Sequence, residues 1–167
     1  MIEKLSSYQL SKFPLGIKMI LFCIVINLTV GVSIGLYYVG NTTSFSIKGT
    51  NEHYNGSEII DDFDIPEKYP KPISELITTT HNHIISLTFI FVIIGFIFFF
   101  SSLIQGKAKY FLIIEPFFSI LITFGGIWLV RFGVPFFSYI IIFSGTIMYF
   151  SFFIMASTIL YEVLFNK

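Results

Sequence analysis

The sequence predicts an all-α integral membrane protein, an antiparallel bundle of four transmembrane helices with both termini cytoplasmic and one long outer loop over residues 40–72. Three observations predict it. The chain is 54% hydrophobic and only 12% charged, outside the range of soluble domains. It contains four apolar runs, each near the roughly 20 residues that a helix needs to cross a bilayer. Its lysines gather in the segments that four crossings would place on one side.

The elements follow in order. Residues 1–14 form a cytoplasmic lead ending at Pro14. The first run, residues 15–39, is too long for a signal-peptide core, and no small-residue cleavage site follows it. It is therefore expected to be a retained helix. It carries Gly31 and Gly35 four apart, a spacing that lets helices approach closely, here expected within the bundle. Cys23, the single cysteine, is expected to be a buried apolar residue. The outer loop is polar and acidic. It holds Glu52, Glu58, Asp61, Asp62, Asp64 and Glu67 beside Lys48, Lys68 and Lys71. The alternation in SFSIKG suggests one short strand. A connection this long is usually functional or disordered.

Pro72 is suited to a helix start, because its missing N–H would lack a partner there. The second helix is placed over residues 73–104. Its apolar part alone fills the bilayer, so ISELITTTHNH stands in the outer headgroup zone. The third helix is placed over 110–130. If Pro116 is the first helical position, Glu115 lies at the inner boundary beside Lys107 and Lys109, the favoured placement; if the helix already runs from Tyr110, Glu115 is a carboxyl inside the membrane and Pro116 bends the helix. The fourth is placed over 135–164, after the short link RFGVP. That link sets Trp128 and Arg131 at the outer surface, level with His81 and His83. Lys4, Lys12, Lys18, Lys107, Lys109 and Lys167 fall on the inner side, and the chain carries no basic tract for nucleic acid.

The three histidines, His53, His81 and His83, all fall in the outer layer. Residues two apart on a helix are rotated by about 200°, so His81 and His83 point to nearly opposite faces. His83, nearer the membrane, is the one expected to face inward. One arrangement makes it or His81 an axial ligand of a b-type haem, with Arg131 on a propionate and Trp128 over the ring edge. The other three apolar runs hold no histidine. A second ligand would come from His53, a partner or a second copy. Another arrangement folds His53 onto His81 or His83 to bind zinc or copper. In the third, no cofactor is bound, and the histidines are interfacial hydrogen-bonding groups.

HYNG (His53 to Gly56), KPISELITTTHNH (Lys71 to His83) and WLVRFG (Trp128 to Gly133) resemble an uncharacterised family of small four-span bacterial inner-membrane proteins over residues 50–133. The T-H-x-H helix start also resembles the haem-ligand helices of haem–copper oxidase and nitric oxide reductase subunits. That resemblance implies a haem-ligand role for His81 or His83. The sequence thus leads to a haem- or metal-binding protein of respiratory or redox physiology, an electron carrier or accessory subunit with a redox protein partner or a second copy beside it. Its rival is a non-redox assembly subunit whose acidic outer loop binds a periplasmic partner. No nucleophile–base pair or phosphate-binding loop points to an enzyme.

Overall fold

The computed structural model describes residues 9–58 and 65–165, so Lys4, Asp61, Asp62, Asp64 and Lys167 lie outside the described residues. Among the described residues, five α-helices follow a 3-10 turn at Leu10–Lys12. They are α1 (Leu15–Thr43), α2 (Ile47–Asn55), α3 (Ile73–Phe99), α4 (Gly106–Arg131) and α5 (Phe137–Phe165). All but α2 are long and apolar enough to span a membrane, at 26 to 29 residues each. The protein is a four-span helical membrane protein.

The α4–α5 hairpin is the centre of the bundle, α3 covers one side, and α1 leans mainly on α5. Between α4 and α5 the seam is built of small and hydroxyl residues. Gly126 is tightly overlaid by Ile141, since a Cβ there would lie 2.9 Å from that side chain. Thr123 and Ser144 hydrogen-bond at 2.7 Å. Without a hydrophobic drive between helices in lipid, such close approach and interhelical bonding hold the pair. The hairpin turns through Gly133 at φ +86°, where Gly133 N–H donates to Val130 O and Val134 N–H to Leu129 O. This is a Schellman ending, in which the left-handed residue is a glycine because it lacks a Cβ.

Several boundaries differ from the sequence expectation, each for a local reason. α1 continues through Thr43 and stops where Ser44 and Phe45 adopt φ of 52° and 50°. The residues expected as a strand are the start of α2. Ser46 caps it by accepting from Gly49 N–H at 2.9 Å, and no strand partner is present among the described residues. α3 ends at Phe99 rather than 104, because Ser101 and Ser102 turn to bind Glu162. α4 begins at Gly106 and runs through Pro116. Glu115 therefore lies about 14 Å into the helix, inside the span and not at its inner boundary. Its carboxylate accepts from Ser119 and, at 3.0 Å, from Ser151 of α5.

Two expectations for α1 are also reversed. Cys23 is exposed. Gly31 and Gly35 have no atom within 4 Å of where a Cβ would stand, so their spacing is not used inside the bundle.

Candidate functional site

The side of the bundle that carries the α1–α3 connection is a constructed layer. α2 sits against α4 and α5. Its register is fixed by Gly49, where a Cβ would lie 2.1 Å from the Thr43 carbonyl oxygen. Tyr54 packs on the core, and burial, then the nearby phenols of Tyr38 and Tyr149, pushes its own phenol up to about 12. The chain returns to α2 after the acidic excursion. Ser57 N–H donates to Lys68 O at 2.9 Å, Lys68 N–H to Ser57 Oγ at 3.2 Å, and Lys71 N–H to Tyr54 O at 3.1 Å. Gly56 (φ +90°) lets these two segments close together, as a Cβ there would meet Pro70 at 2.8 Å.

Arg131 completes the layer. Its Nε–H donates to Lys71 O at 2.7 Å and ties the end of α4 to the start of α3. Lys71 also pairs with Glu75 one helical turn on. Trp128 Nε1–H donates to Thr80 Oγ1 at 3.0 Å. The two residues expected beside a haem are thus both engaged in joining α3 to α4. Nearer the excursion, Glu52 lies 3.6 Å from both Lys48 and Lys68.

The histidines separate. His53 is half-buried, edge-on to the Tyr54 ring at 4.8 Å. Its imidazole is lowered to about 4 by burial first, then by the charges of Lys71 and Lys68, against a smaller opposite effect of Glu75. His81 is exposed. His83 is exposed too, and its ring lies 5.4 Å from that of the buried Phe124 of α4. Its Nδ1 lies 2.9 Å from Thr79 O. A carbonyl only accepts, so Nδ1 is the donor in this contact. Among the described residues no three His, Cys, Asp or Glu side chains form a group that could hold a metal ion. His53, His81 and His83 are therefore not gathered into one ligand set.

Two polar features carry little signal in the residue pattern. Asn51 Oδ1 and Ser138 Oγ are buried without a partner, and both belong to elements of this layer, α2 and the start of α5. At the opposite side Glu162 is fully buried. It accepts from Ser101 Oγ at 2.6 Å, Ser102 Oγ at 2.7 Å and Ser102 N–H at 3.0 Å. Lys109 lies in the same cluster, donating to Phe99 O and Ser101 O at 3.1 and 2.6 Å. An acid in an otherwise apolar run was the available signal for Glu162. Its serine partners come from a turn that no periodicity marks.

Residues 44–167 match a protein-family model described as a transmembrane helical domain. No curated protein and no solved structure matches the chain. The matched region begins at the turn after α1 and contains α2 to α5 whole.

Proposed function

The chain belongs to the Aq_1264_TM family of transmembrane helical domains, and on that premise we propose that it is a non-catalytic assembly subunit of the bacterial inner membrane. Its acidic excursion, residues 58–67, is the docking element, and the lysine distribution turns that element to the periplasm. One observation carries this reading: the excursion is clamped at its base. The paired Ser57–Lys68 bonds sit on α2, and Lys71 and Arg131 fasten that base to the spans. Fixing both ends of a segment lowers the entropic cost of holding it on a partner. The excursion sequence alternates acids with Ile59, Ile60, Phe63 and Ile65, so its partner is a basic surface with apolar pockets. Ile65 is 80% exposed, outside the spans.

The test is a photo-crosslinking residue at position 65 in native membranes. A discrete protein adduct that weakens with salt, and disappears when Glu58 and Glu67 become Gln, is expected. Adducts to lipid alone, or an adduct indifferent to both changes, would refute the docking role.

A second reading rests on His83. Its Nδ1 on the Thr79 carbonyl is the hydrogen bond that orients a ligating imidazole, with Nε2 on the far side of the ring. The ring is exposed, so this reading has a b-type haem shared with a partner or second copy that supplies the other ligand. When bound, haem would supply one-electron chemistry; this chain's part is to hold and orient the imidazole. Absorption spectra of protein purified from haem-replete cells decide it. A reduced-minus-oxidised b-type signal lost in His83→Ala supports it, and no signal in the wild-type chain sinks it.

A further inference from the structure

We propose that α1 is a self-association helix, whose exposed face pairs with α1 of a second copy around Asn27. The starting observation is a polar side chain in the wrong solvent. Asn27 lies near the middle of a 29-residue span, about 18 Å from its start, and it is exposed on the outside of the bundle. Its Nδ2 donates once, to Cys23 O at 2.8 Å. A carboxamide offers two donors and an acceptor oxygen. The second N–H and Oδ1 have no partner among the described residues. In hydrocarbon, where water cannot serve them, an unpaired amide costs several kcal/mol.

The surroundings favour another helix as the missing partner. α1 is the least covered span, with only Val25, Val32 and Thr43 buried. On the helical wheel Cys23, Asn27, Gly31, Ile34 and Tyr38 fall on one face, the one opposite Val25 and Val32. All five are exposed. Gly31, one turn from Asn27, has open space at its Cβ position and so admits a neighbouring backbone. The family match covers α2 to α5 and leaves α1 outside it. The occluded part of the bundle, the α4–α5 seam, also does not depend on α1 for its hydrogen bonds.

A second copy fits this face better than an unrelated helix, because of symmetry. Copies inserted in the same orientation present parallel α1 helices. A two-fold axis along the membrane normal sets each residue opposite its own counterpart. Asn is self-complementary in that arrangement: each carboxamide donates to the other's oxygen and both are satisfied. The glycine gap lies on the same contact, one turn away.

Cys23, also one turn from Asn27 and the only cysteine, is a built-in reporter. The full chain is reconstituted in liposomes at decreasing protein-to-lipid ratio and treated with a membrane-permeant copper–phenanthroline oxidant. The expected result is a disulfide-linked dimer whose yield holds on dilution. It should fall about tenfold in Asn27→Leu, as a lost interhelical bond of 1–2 kcal/mol requires, and likewise in Gly31→Ile. Asn27→Gln should restore it. Single-molecule counting of fluorescently labelled protein reads the same equilibrium without oxidation. Monomers throughout in wild-type protein, or dimers equally abundant in Asn27→Leu and Gly31→Ile, would overturn the proposal. So would a Cys23 adduct only to another polypeptide in native membranes. Every substitution lies on the lipid face, so the bundle itself is left intact.

Discussion

Replacing Glu162 with alanine should lower the melting temperature of the detergent-solubilised protein by roughly 6–12 °C, the equivalent of a loss near 3 kcal/mol. The carboxylate is fully buried and takes three hydrogen bonds from Ser101 and Ser102. Removing it strands two hydroxyls and a backbone N–H away from water, which costs the desolvation of each. It also leaves Lys109 beside the cluster without a countercharge. Glu162→Gln keeps an acceptor oxygen and should lose about half as much. Because the cluster joins the α3–α4 turn to the end of α5, limited proteolysis should show cleavage within 100–105 in the alanine variant. An unchanged melting point with an intact turn would mean that the cluster does not hold these ends together.

The second large effect concerns acid. The cap formed by α2 should loosen as pH falls from about 6.5 towards 4. His53 has its ordinary value of 6.5 when exposed and about 4 when docked, burial being the main cause. The undocked form therefore binds the proton more readily. Docking has its full strength above 6.5 and loses it progressively as pH drops to 4. His53 is half-exposed, so after solvent screening the loss amounts to about 1 kcal/mol. Hydrogen exchange at the α2 amides reads it: protection factors, corrected for the intrinsic rate at each pH, should fall several-fold over that window in the wild type and stay flat in His53→Gln. Arg131→Ala should open the cap already at neutral pH, because it deletes a charge-assisted bond to Lys71 O of about 1.5–3 kcal/mol. Protection in α2 that is unaltered by Arg131→Ala would show that other contacts hold the cap.

Much of this architecture was legible in the residues. Apolar run lengths specify four spans, since every backbone group in lipid must be bonded within its own helix. Pro14 and Pro72 sit immediately before α1 and α3 because a proline N–H is not required there. Arg131-Phe-Gly-Val-Pro135 is too short for anything but a tight hairpin. The rotation of His81 against His83 was also readable, and of the two it is His83 whose ring meets a neighbouring helix, although it stays exposed. Which face of α3 meets α4 depends on Trp128 reaching Thr80 and Phe124 reaching the imidazole. Those contacts are 40 or more residues apart in sequence and leave no local pattern.

The number of spans, their antiparallel order and the chemistry available along the chain follow from the residues alone, because hydropathy, helix length and proline geometry act locally. Packing decides that Ser46 caps a helix where a strand was expected, that Glu115 lies within a span, and that α1 turns Asn27 and Gly31 outward. It also sets the Arg131 Nε–H on the Lys71 carbonyl. Each of these depends on which surface a distant element covers. A period of 3.6 residues can mark a helix face, but in a chain this apolar nearly every face reads alike, so the pattern cannot tell protein from lipid. Packing between elements makes that distinction.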